Sequence, residues 1–112
     1  MEKMLFVIWT ANKGIFTHVM MNVLDFKEKG YEVGVVFESD GCKHISEFES
    51  NTNEKFEKMK ELKLIFSVCK ACAKGMGALD SAKRQNLPIH DDLWGHTPLE
   101  KWVAEGFKIV SV

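Results

Sequence analysis

The residues best suited to chemistry in this chain are its three cysteines, Cys42, Cys69 and Cys72. Cys69 follows the apolar run Leu62 to Val68 and opens Cys69-Lys70-Ala71-Cys72, ahead of a segment with helical spacing. Cys69 is therefore expected at a strand-to-helix junction, where unpaired backbone N–H groups and the positive end of the helix dipole stabilise a thiolate. Lys70 and Lys74 add positive charge nearby. Such a thiol is expected to be more acidic than its free value of about 8.5, and so a better nucleophile or sulfur acceptor at neutral pH. Cys72 lies one helical turn further on. Its spacing suits either a disulfide with Cys69 or a place on the helix's buried stripe with Met76 and Leu79. Cys42 falls in a glycine-containing loop, either as a solvent-facing thiol near the same rim or as an incidental loop residue.

The remaining polar groups carry weaker signals. Cys42-Lys43-His44 and Cys69-x-x-Cys72 together offer four soft ligands in principle. The first pair has an unusual spacing for zinc, and a chain of this length can build a core without a structural ion, so no metal is expected. His90 and His96 flank Trp94 beside Asp91 and Asp92, which fits an acid–base cluster or a polar loop with a capping role. His18 is expected on the solvated side of a helix, and the lysines 55, 58, 60 and 63 alternate with glutamates as a solvated face does. No G-x-G-x-x-G or G-x-x-x-x-G-K-[ST] is present, so no dinucleotide or triphosphate cradle, and no cofactor, is expected. The loop Thr10-Ala11-Asn12-Lys13-Gly14 offers at most a weak anion contact, with Asn12 as a supporting residue.

The elements that must position these groups alternate in type. Residues 4 to 10 form a near-continuous apolar run, the pattern of a strand covered on both faces. From Gly14 to Lys29, Ile15, Phe16, Val19, Met20, Val23 and Phe26 recur at helical spacing, and Gly30 closes the helix. Tyr31 to Phe37 is a second strand, two short helices interrupted near residues 50 to 53 span 45 to 63, and 62 to 68 is a third strand. One helix is expected from Lys70 to about Gln85, with Gly75 and Gly77 retained for close packing or a bend. Residues 89 to 96 are a loop or a short edge strand. Thr97-Pro98-Leu99-Glu100 has the form of a capping box with proline at the first helical position, and residues 107 to 112 make a closing strand. The order βαβαβαβ predicts a single three-layer, doubly wound α/β domain, flavodoxin-like or Rossmann-like, with a four- or five-stranded mainly parallel sheet. In such a sheet, chemistry gathers beyond the carboxyl ends of the strands, which selects the loops 10–14, 38–44 and 69–72.

Composition bounds the function. With 112 residues, 46% hydrophobic and 28% charged, the chain has the make-up of one globular domain. A net charge of -1 gives no electrostatic footprint for nucleic acid or an anionic membrane. An odd number of cysteines points to a reducing compartment, and the protein is expected in the cytoplasm.

Cys69-Lys-Ala-Cys-Ala-Lys-Gly-Met-Gly77 after a third strand, followed by a capped helix ending in Glu105-Gly106-Phe107 before the last strand, resembles the DsrE/DsrF/TusD-like family over nearly the whole chain. The resemblance implies a flavodoxin-like fold and a homo- or hetero-oligomer, with a trimer or hexamer suggested. It also implies a role in sulfur relay, with Cys69 as the persulfide-bearing residue, standing eight residues before Gly77 as in the family. Three functional expectations follow. Cys69 accepts sulfane sulfur from a donor protein and passes it to an acceptor, its thiolate stabilised by backbone amides and Lys70. Alternatively, Cys69 and Cys72 form a dithiol redox pair, or the chain is a non-enzymatic oligomeric binding module with Trp94 as an interface anchor.

Overall fold

A computed structural model describes residues 2–112. Five strands form one sheet in the order β4-β3-β2-β1-β5: β1 is Lys3–Ile8, β2 Glu32–Phe37, β3 Ile65–Cys69, β4 Ile89–His90 and β5 Lys108–Ser111. Every pairing is parallel. The first four strands step in one direction across the sheet, and the chain then returns to lay β5 against the free edge of β1. Right-handed crossovers consequently place the first five helices on one face and the last on the other. These are α1 (Lys13–Glu28), α2 (Lys43–Ser50), α3 (Glu54–Glu61), α4 (Lys70–Gly75), α5 (Leu79–Arg84) and α6 (Glu100–Ala104). The three-layer, doubly wound α/β architecture is the expected one, with five strands and an entirely parallel sheet. Among the described residues no helix is long and apolar enough to cross a membrane.

The two faces bury different amounts of apolar surface. Phe6, Ile8, Val33, Val35 and Phe37 meet Phe16, Val19, Met20 and Val23 of α1, Ile45 and Phe48 of α2, and Phe56 and Met59 of α3. On the opposite face Leu5, Val7 and Val36 are covered by Trp102 and Phe107, with Phe66 packed against them. Burial on both sides explains why the central strands read as continuous apolar runs rather than alternating ones. Phe66 lies directly over Gly34, in the space that a Cβ on that residue would occupy.

Several boundaries differ from the sequence expectation. The first strand ends at Ile8, because Trp9 already turns outward to 44% exposure. The helix expected over 70–85 is two helices: Gly77 adopts a left-handed φ of 71°, which stops α4, and the chain restarts as α5 at Leu79. The capping box at Thr97 does not form. Thr97 is buried with its hydroxyl 2.9 Å from Ser67 Oγ, and α6 starts only at Glu100, without a side-chain cap. Thr97 ties the chain to β3 instead. Residues 89–96 combine both alternatives, a two-residue edge strand and then a turn closed by a bridge between Leu93 and His96. The break between α2 and α3 falls where it was expected, with Asn53 capping α3 by accepting from the Phe56 N–H.

A 3₁₀ turn, Ser39–Cys42, links β2 to α2 and passes over the end of β1. Ile8 O accepts from the Glu38 N–H at 3.0 Å, and Gly41 packs so close to that carbonyl that a Cβ could not be accommodated. Because the obstacle is backbone, Gly41→Ala is expected to lower the free energy of unfolding by about 1–3 kcal/mol, the usual cost of overpacking. A urea midpoint equal to that of the wild type would contradict this close approach.

Candidate functional site

Four side chains from three strand ends converge at one point. Glu38 follows β2, Cys69 ends β3, Cys72 lies in the first turn of α4, and His96 closes the turn after β4. One donor atom from each lies within 4.8 Å of the others. Cys69 Sγ is 3.0 Å from His96 Nδ1, Cys72 Sγ is 3.4 Å from the same nitrogen, and Cys72 Sγ–H donates to Glu38 Oε2 at 3.7 Å. Each thiol proton therefore has an acceptor if Cys69 donates to the imidazole and Cys72 to the carboxylate.

Local backbone geometry explains how His96 reaches the cysteines. The 91–96 turn docks on α4 through the Ala71 N–H, which donates to Gly95 O at 2.9 Å. Trp94 and Gly95 both take left-handed φ values, 48° and 88°, so the chain doubles back and pairs Leu93 with His96 in both directions. Lys70 Nζ reaches Asp91 Oδ2 at 3.5 Å across the same contact. Just beyond His96, the Thr97 hydroxyl is held by Ser67, whose Oγ also meets His90 Nδ1 at 2.7 Å. Since Lys101 Nζ donates to His90 Nε2, the His90 Nδ1–H donates to Ser67, which in turn donates to Thr97.

Burial grades the site from inside to outside: Glu38 and Cys69 are buried, Cys72 half-buried and His96 exposed. Burial raises the Glu38 carboxyl above the usual carboxylate range, opposed by the thiols of Cys69 and Cys72 and by His96. The Cys69 thiol is pushed up to about 12, first by burial and then by the neighbouring Cys72 thiol; backbone N–H groups of Cys72 and Thr97 only partly offset this. The expectation of an acidified Cys69 is thus corrected. α4 is only six residues long, and Lys70 extends outward to Asp91, so neither dipole nor cation outweighs desolvation.

The other expected site residues have different places. Cys42 is buried rather than solvent-facing; its Sγ–H donates to Phe37 O at 3.6 Å, and burial raises its thiol strongly. It packs beneath the site. Asn12 is the N-cap of α1, its Oδ1 accepting from the Ile15 N–H at 2.9 Å, and is not part of the cluster. Lys70 braces the 91–96 turn. His44, paired with Cys42 in the sequence, donates from Nε2 to Thr10 O at 2.7 Å and stacks on Phe16 at 4.3 Å, away from the four donors. Sequence reasoning missed Glu38 as a site residue and left His96 undecided between roles. The carboxyl-end rule had nonetheless selected the loop that Glu38 opens.

No family model matches the chain. An uncharacterized protein of Methanocaldococcus jannaschii is 27% identical over 101 residues, covering 90% of this chain and 83% of that protein. The fold is shared with a conserved protein of unknown function from Bacteroides thetaiotaomicron, at a TM-score of 0.68 and 19% identity, with 99% of this chain and 95% of that one superposed. These likenesses establish the architecture and leave the chemistry to be read from the side chains.

The burial gradient orders the thiols. With an alkylating reagent at neutral pH, Cys72 is expected to react first, Cys69 at least about tenfold more slowly, and Cys42 only on unfolding, since reactivity follows thiolate fraction and access. Peptide mapping of a time course checks this order, and native Cys42 labelling at the rate of Cys72 would contradict it.

Proposed function

We propose that Cys69 and Cys72 form a sulfur-transfer centre, with His96 as the proton acceptor of Cys69, Glu38 as that of Cys72, and Cys69 as the residue that carries sulfane sulfur. The observation that supports this most is the position of one atom, His96 Nδ1, 3.0 Å from one thiol and 3.4 Å from the other. A buried thiol with a raised pKa is a poor nucleophile alone, and an imidazole in contact with it supplies the base that activates it. In the forward step the Cys69 Sγ–H gives its proton to His96, and the sulfur attacks the terminal sulfur of a donor persulfide, R–S–SH. The donor's S–S bond breaks, and R–S⁻ leaves and takes the proton, giving Cys69–S–SH and R–SH with no net oxidation. An acceptor thiolate reverses the process by attacking the same terminal sulfur and releasing the Cys69 thiol.

Cys69 is covered, so a donor must move the tip of the 91–96 turn while the Thr97–Ser67 contact keeps His96 beside the thiols. That turn is weakly held on its outer side, where the exposed Lys70–Asp91 pair is worth about 0–1 kcal/mol. Trp94 at its tip is 92% exposed and held in a left-handed conformation, both of which are costly for an aromatic residue. Its ring suits a grip for the protein that brings or takes the sulfur. This chemistry requires reduced thiols and hence a reducing compartment such as the cytoplasm.

A second reading is favoured by the closeness of the two sulfurs, both within the 4.8 Å cluster. In thiol–disulfide exchange with a substrate disulfide, one thiolate forms the mixed disulfide and the other resolves it, leaving Cys69–Cys72 oxidised and the substrate reduced.

Intact mass spectrometry of the reduced, metal-free protein after exposure to a small persulfide donor separates the readings. A persulfide adds about 32 Da, expected at Cys69, kept in Cys72→Ser and lost in Cys69→Ser. Loss of about 2 Da with Cys69 linked to Cys72 would support exchange instead. Equal sulfur uptake by Cys69→Ser, or none by the wild type, would overturn sulfur transfer at Cys69.

A further inference from the structure

We propose that Glu38, Cys69, Cys72 and His96 form a four-donor site for one divalent cation of the zinc class. The inference stands on the four donor atoms and does not depend on sulfur transfer.

The donor set comes first. Two thiolate sulfurs, one imidazole nitrogen and one carboxylate oxygen suit a borderline-soft ion that accepts tetrahedral coordination; calcium and magnesium prefer oxygen throughout. The geometry agrees. With metal–sulfur bonds of about 2.3 Å and metal–nitrogen or metal–oxygen bonds of about 2.0–2.2 Å, neighbouring ligand atoms of a tetrahedron lie about 3.3–3.8 Å apart. The Cys72–His96 separation is 3.4 Å and the Cys72–Glu38 separation 3.7 Å, inside that range. Cys69–His96, at 3.0 Å, requires about half an ångström of opening about the ion, and the remaining pairs, all within 4.8 Å, must close by up to about 1 Å.

Electrostatics supplies the second support. Glu38 is 4% exposed, and the groups that act on it are two thiols and His96 rather than a lysine or arginine. Buried carboxylates are ordinarily paired or bound to a metal, because desolvation of an unpaired charge is expensive. A dication among these donors would replace the two thiol protons, which leave to solvent, and would give the carboxylate its counter-charge. The site is also already assembled. The Gly41 turn fixes the loop that Glu38 opens, β3 and α4 fix the cysteines, and the Thr97–Ser67 and Ala71–Gly95 contacts fix His96. Little ordering cost therefore remains to be met on binding.

One consequence concerns the thiols directly. A cation held by Cys69 shares the thiolate charge that would attack a persulfide and lowers its nucleophilicity, so metal and sulfur cargo compete at this residue.

The test is titration of the reduced, metal-free full chain with Co²⁺, followed by displacement with Zn²⁺. The expected result is one ion per chain, with visible absorption of tetrahedral cobalt and a near-ultraviolet thiolate-to-cobalt band, both lost on adding zinc. Cys72→Ser and His96→Gln, whose side chains lie at the outer edge of the site, are expected to weaken binding at least about 100-fold; Glu38→Gln is expected to weaken it at least about 10-fold. Cys42→Ala, outside the cluster, should bind as the wild type does. Far-ultraviolet circular dichroism confirms that each variant is folded. Binding of less than half an equivalent by the wild type, or unchanged cobalt affinity in folded Cys72→Ser and His96→Gln, would overturn the proposal. The persulfide assay is run without metal, so the two outcomes are read separately.

Discussion

Parallel pairing forces every strand of this sheet to end on the same side, and the site depends on that constraint. Glu38, Cys69 and the turn that carries His96 follow three adjacent strands, β2, β3 and β4. Adjacent strands are only about 4.8 Å apart, so side chains that leave their ends together can meet without a long excursion of the chain. Residues separated by more than 50 positions in sequence, Glu38 and His96, become neighbours in this way. The remaining requirement is to aim each side chain inward. Gly41 does so by letting the 3₁₀ turn cross the end of β1, and the left-handed Trp94 and Gly95 do so by folding the last turn back over α4.

What results is a polar cluster under partial cover, and the balance between burial and proximity sets its chemistry. Desolvation raises both the Glu38 carboxyl and the Cys69 thiol. For Glu38 the contacts that compensate are the thiols and imidazole of the cluster, while for Cys69 they are backbone N–H groups and the Cys72 thiol adds to the rise, so the protonation states of the cluster depend on one another. The proposed sulfur transfer and the proposed metal binding would be two uses of that shared arrangement. In the first, a proton moves from sulfur to nitrogen; in the second, a dication takes the place of the protons.

Much of the fold was legible because the physics behind it is local. The apolar runs of β1 and β2 reflect burial on both faces, and the break between α2 and α3 was marked by asparagines that favour caps. Thr97 shows where local pattern fails. Its spacing to Pro98 and Glu100 satisfies a capping rule, yet a buried hydroxyl opposite Ser67 has a better partner across the sheet. Gly77 was legible as a helix weakener, but whether it bent or ended the helix depended on its left-handed φ. In the site, Cys69 and Cys72 were visible from their strand-to-helix position. Glu38 was not visible as a site residue, since a lone glutamate at a strand end resembles any solvated loop residue, and its burial among Cys69, Cys72 and His96 arises only in the folded chain. The raised Cys69 thiol was hidden for the same reason, because a sequence shows the dipole and the lysine but not the desolvation that outweighs them.

The central claim is that His96 Nδ1 accepts the Cys69 proton while in contact with Cys72 as well. Nitrogen-15 NMR of the histidine rings in the reduced, metal-free protein at neutral pH measures it directly. The account predicts a His96 Nδ1 that is unprotonated and hydrogen-bonded, and whose shift changes in both Cys69→Ala and Cys72→Ala while that of the exposed His18 does not. A His96 ring whose nitrogen shifts are indifferent to either cysteine substitution would contradict it.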